Sequence, residues 1–108
     1  MPWKIKEADW KLLSQLRINA LERLCLRILS EIEHINTNHA ISAHQRYAEI
    51  YQVIQCRDKE IAQTFDDHRR STALNELAAI QSQGLLPPEE FQSLSQETRD
   101  AISWVGRV

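Results

Sequence analysis

An all-α fold is expected, and three observations predict it. The chain of 108 residues contains only two glycines and three prolines, and Leu, Ile, Ala, Glu, Gln and Arg are abundant, which favours helices. The stretch from Asn38 to Gln83 contains neither glycine nor proline and reads as one helix or two helices in line. Apolar residues recur three or four positions apart through most of the chain, which is the face of an amphipathic helix. The resulting expectation is a long antiparallel hairpin, about 7–36 and 38–83, with two short helices at about 88–94 and 96–105.

The first helix starts near Glu7 to Asp9, where acidic residues complement the helix dipole. Its main stripe is Trp10, Leu13, Ala20, Leu24, Ile28, Ile32 and Ile35. A second apolar lobe (Ile18, Cys25 and Leu29) sits about a quarter turn away, and Leu12 and Leu16 widen the other side. That arc is too broad for one partner helix. On a chain this small it predicts that two hairpins pair into a four-helix-bundle-like homodimer.

Asn36-Thr37-Asn38 suits a turn, and the second helix continues with Ala43, Tyr47, Ile50, Ile54, Ile61 and Phe65 on one stripe. Counting outward from the turn places Leu13 near Phe65, Trp10 near His68 and Arg17 near Asp58, the last as an ion pair. From Asp66 to Thr72 no large apolar residue occurs. The pattern then resumes at Ala73, Leu74, Leu77, Ala78 and Ile80, rotated by roughly 100°. Drift against a heptad explains about 20° per seven residues, so the end of this helix faces something besides the first helix.

Gly84 is expected as a left-handed cap, followed by the turn Leu85-Leu86-Pro87-Pro88. Pro88 with Glu89 and Glu90 starts one short helix, and Ser95 caps the next. An antiparallel hairpin places Trp3, Trp10, Gly84 and Trp104 at one end, where the tryptophans would close the bundle. The stretch from Glu76-Leu77 through Gly84-Leu85-Leu86-Pro87-Pro88-Glu89-Glu90-Phe91 resembles the short helix-turn-helix ends called SHOCT domains. The resemblance covers a minor part of the chain and carries no function with it.

Composition bounds the function. Apolar residues make up 43% and charged residues 26%, as in an ordinary globular protein, and the length fits a single domain over 1–108. A formal charge of −2 exerts no overall pull on nucleic acid or anionic lipid. Residues 1–10 lack the apolar run of a signal peptide, and no later stretch could span a bilayer. A cytoplasmic protein without membrane contact is expected. Cys25 and Cys56 are placed too far apart for a disulfide and are expected as buried or half-buried thiols.

No catalytic constellation, nucleotide loop or metal motif of adequate spacing is present, so neither enzyme activity nor a cofactor is expected. Glu31-x-x-His34 is half of the carboxylate–histidine motif of di-iron bundles, and Glu49 of the second helix could complete such a site in a dimer. His34, His39 and His44 recur every five residues, which is not a helical repeat, and are expected in solvent. In Asp66-Asp67-His68-Arg69-Arg70, helical pairing of Asp66 with Arg70 accounts for the charges without invoking a catalytic base. Arg17, Arg23 and Arg27 share one side of the first helix and would serve a nucleic-acid-binding regulator, although nearby acids dilute the patch. The favoured reading is a non-enzymatic module that binds another protein through its helix faces. Tyr47, Tyr51, His68, Arg69 and Arg70 are its candidate contacts, because aromatic and arginine side chains dominate interface energies.

Overall fold

The computed structural model describes residues 4–105 and is all-helical over them. Helix α1 spans Glu7–Asn36, α2 Ala43–Phe65, α3 Ala73–Ser82, α4 Pro88–Gln92 and α5 Gln96–Val105, with a single 3₁₀ turn at Arg70–Thr72. Contacts between α1 and α2 step along them in opposite senses. Arg46 Nη1 donates to the Asn36 carbonyl at one end, Arg57 to Glu31 midway, and Arg17 Nη2 to the Phe65 carbonyl at the other.

The second arm, expected over 38–83 as one helix or two helices in line, is instead two helices that do not run in line. It begins only after Ser42, whose Oγ accepts from the Gln45 N–H at 3.1 Å. The sequence Ser42-Ala43-His44-Gln45 is a helix-start signature. The helix ends at Phe65, just before Asp66 and Asp67, two acids that the negative C-terminal end of a helix dipole disfavours. Thr72 Oγ1 then donates to the Asp67 and Arg69 carbonyls and accepts from the Arg69 N–H, which holds the turn.

Past that turn the chain reverses. Glu76 lies against Arg17, and the Gln83 and Gly84 carbonyls accept from Arg27, so α3 climbs back beside α1. The rotation of the apolar pattern at Ala73 thus marks a change of helix. Gly84, expected at the Trp10 end, lies level with Arg27 instead. Its φ of +71° confirms the left-handed cap, and the Gly84 and Leu85 N–H groups donate to Gln81 and Ile80 at 2.9 and 3.1 Å, closing a Schellman motif. A Cβ here would stand 3.3 Å from Arg27 Nη2. Gly84→Ala is expected to cost about 1 kcal/mol, read as a lower urea midpoint at unchanged slope.

Helix α4 crosses α1, where Arg23 grips Glu90 with two bonds at 2.9 and 2.7 Å. Ser95 Oγ accepts from the Thr98 N–H, so Ser95 caps α5 as expected. Helix α5 packs on α3. Among the described residues, every buried one lies within 5–24 or 64–102, and from Cys25 to Gln63 none is buried. The molecule is therefore a packed base with a protruding pair of helices. Its extents are 53 × 24 × 24 Å and its radius of gyration is 16.8 Å, against about 13 Å for a compact chain of this size.

Of the tryptophans expected to close one end, Trp10 stacks on His68 with centroids 4.9 Å apart, Trp104 is 54% exposed, and Trp3 lies outside the described residues. Cys25 is half-buried and Cys56 exposed, so the second thiol is more open than expected; neither is in a disulfide. Among the described residues no helix is long and apolar enough to cross a membrane.

Candidate functional site

The protruding part of α1 and α2 has two unlike faces. On one, the interhelical groove is lined by Cys25, Ile28, Leu29, Ile32, Ile54, Arg57, Asp58 and Ile61 and encloses about 330 Å³. Leu29 is 60% exposed and Ile54 44%. Tyr47 and Tyr51, also largely exposed, continue the line of Ile54, Asp58 and Ile61 along α2 at alternating spacings of four and three. Ile18, seven residues before Cys25, extends the same face toward the base and is exposed.

The opposite face is polar, and Arg57 reaches it from the seam while also lining the apolar groove. Arg57 donates to both carboxylate oxygens of Glu31 at 3.0 and 3.1 Å and to Glu60 at 2.7 Å. The hydrogen bond from Arg57 holds the Glu31 carboxyl below the ordinary carboxylate range and outweighs its desolvation. Both oxygens of Glu31 are thus committed to an arginine. Glu49 lines a separate shallow groove with Gln52, Val53 and Cys56, and His34 is exposed. Among the described residues no three His, Cys, Asp or Glu side chains gather as metal ligands, so within one chain Glu31, His34 and Glu49 do not form the set the sequence suggested. At the helix tips, His39 accepts from Arg46 at 2.7 Å.

The five candidate contact residues divide between the two ends. Tyr47 and Tyr51 stand on the apolar face, whereas His68, Arg69 and Arg70 lie at the base, about 20 Å or more further along the axis. Those three are engaged within the chain. His68 Nδ1 is 2.9 Å from Glu76, Arg69 pairs with Asp67 at 2.6 Å, and Arg70 pairs with Glu7 at 2.6 Å over the Trp10 ring. The expected helical pair of Asp66 with Arg70 is replaced, because residues 66–69 are not helical.

The arginines of α1 are also engaged internally. Arg17 donates from Nε to Glu76 at 2.9 Å, not to Asp58, because α3 inserts a closer carboxylate. Arg23 binds Glu90 and the Leu85 carbonyl, and Arg27 caps the end of α3. All three hold the C-terminal segments to α1, with Arg17 and Arg23 half-buried and Arg27 exposed.

The sequence reading placed Cys25 and Leu29 in the lobe expected to pair in a dimer but did not join them with Ile32, Ile54, Asp58 and Ile61 into one groove. Their signal was the matched four–three spacing on both helices. No protein-family model, curated protein or solved structure matches this chain.

Proposed function

We propose that the chain is a non-enzymatic protein-interaction module of the cytoplasm, working as a helical hairpin that docks another polypeptide on the apolar face of α1 and α2. One observation carries this reading. No residue from 25 to 63 is fully buried, and one face of this pair leaves Leu29, Ile54, Tyr47 and Tyr51 exposed to water. An isolated helix pair with no buried core is marginal, and apolar positions aligned on one face are the mark of a protein-binding surface rather than of scattered surface residues. The groove takes an amphipathic helix by laying its apolar anchors between the two helices. The opposite face, knitted by Arg57 to Glu31 and Glu60, keeps the pair aligned while the first face is open.

Placing the photoreactive residue benzoylphenylalanine at position 51 is expected to give discrete covalent adducts with polypeptide on irradiation in cells. The same residue at position 52, toward the polar face, is expected to give none. Absence of adducts at 51, or equal labelling at 52, overturns the reading.

A further inference from the structure

Resting on that docking reading, we propose that the polypeptide occupying the apolar face is a second copy of this chain. The contacts from Arg46–Asn36 to Arg17–Phe65 set the register of the two helices. In that register Leu29 lies level with Ile54, Ile32 with Tyr51, and Cys25 with Asp58. Steps of four and three separate Cys25, Leu29 and Ile32 on α1. The same steps, met in the same order along the axis, separate Asp58, Ile54 and Tyr51 on α2.

Each level therefore carries one side chain from each helix, so a two-fold axis along the helices sets α1 of one copy onto α2 of the next with the layers in register. The spacing is that of helices packed knob into hole. Doubling the face produces a four-helix layer of two Leu29 and two Ile54, with Ile32 and Tyr51 forming the adjacent layer. The C-terminal helices do not obstruct this. Arg23 and Arg27, which hold α4 and the end of α3, lie on the side of α1 away from Cys25.

The size of the face fits as well. From Ile18 to Asn36 it runs about 28 Å, and two helices side by side are about 20 Å wide. Pairing covers about 1,100 Å² over both copies, near the lower limit of a specific interface. The dimer is therefore reversible. Asp58, exposed beside the groove, supplies the polar position that sets register in such seams.

Sedimentation equilibrium from about 1 to about 200 µM tests this. The full chain is expected to rise from 12.6 kDa toward twice that mass. The double variant Leu29→Lys with Ile54→Lys is expected to stay monomeric with the circular dichroism of a folded helical protein, because both side chains are exposed. A wild type that is monomeric throughout overturns the proposal, as does a double variant that dimerises like the wild type. If the wild type is monomeric but position 51 still forms adducts in cells, the second copy is rejected and the docking reading stands. With neither dimer nor adduct, both fall.

Discussion

Glu76→Ala is expected to destabilise the protein by about 3 kcal/mol, lowering its melting temperature by about 10–15 °C. The side chain of Glu76 is 2% exposed and is held on both oxygens, by Arg17 Nε at 2.9 Å and by His68 Nδ1 at 2.9 Å. The contact joins three places: Arg17 of α1, His68 of the turn after α2, and Glu76 of α3. Arg17 also donates to the Phe65 carbonyl and lies 5.8 Å over the Phe65 ring, while His68 stacks on Trp10. One carboxylate thus holds the junction where the chain reverses. Removing it leaves a guanidinium and an imidazole facing a vacated buried pocket, and that uncompensated desolvation is the larger part of the cost. Because Arg17 keeps 29% of its side chain in water, the loss falls at the lower end for a buried pair. Glu76→Gln keeps the volume and one acceptor and should lose about half as much. Thermal melts of the two variants check the order, and a loss below about 1 kcal/mol for Glu76→Ala would show that the junction is held by apolar packing alone.

The same junction shows how far the sequence could be read. Residues whose backbone demand is local were legible: Gly84 as the left-handed cap, Pro88 at a helix start and Ser95 as the cap of α5 follow from φ restriction or a short polar side chain. Trp10 was also expected beside His68, and the two stack. The count from the turn is not the reason, because it set Leu13 rather than Arg17 at Phe65 and His68 lies past the end of α2. The reversal at 66–72 was not legible. It contains neither glycine nor proline, and what stops α2 there includes the Arg17 bond to the Phe65 carbonyl, a contact between residues 48 positions apart. Once α3 was read as a continuation of α2, Glu76 could not be placed beside Arg17, and the nearest acid on a straight helix was Asp58. Glu76 did leave a trace as the one charged residue in the apolar run from Ala73 to Ile80. The open face was half visible. The lobe of Ile18, Cys25 and Leu29 could be seen on the helix wheel, but its vacancy depends on which side α3 to α5 take. That choice is made by long-range arginine contacts.

Asp9→Ala is expected to cost about 3 kcal/mol at neutral pH, and the deficit should shrink in acid. Asp9 is 3% exposed on α1. Its carboxylate accepts from the Ser95 N–H at 3.1 Å and from the hydroxyls of Ser95 and Thr98, binding the start of α5 across more than eighty residues of sequence. Two helix starts meet at this carboxylate, so one negative charge serves the first turn of α1 and the cap of α5 together. Burial pushes its pKa up, but the bonds from Ser95 and Thr98 outweigh that, with help from Lys6, and the net value falls below the ordinary 3.8. A carboxyl whose pKa is lowered on folding adds stability above its unfolded value, and that stability is lost as pH falls through the folded one. The contribution of Asp9 is therefore complete at neutral pH and disappears from about pH 4 downward. Glu90, lowered chiefly by the hydrogen bond from Arg23, loses its contribution in the same direction. Urea midpoints of wild type and Asp9→Ala should lie far apart at pH 7 and converge toward pH 3, whereas a gap that stays constant with pH would mean that volume, not charge, is what Asp9 supplies.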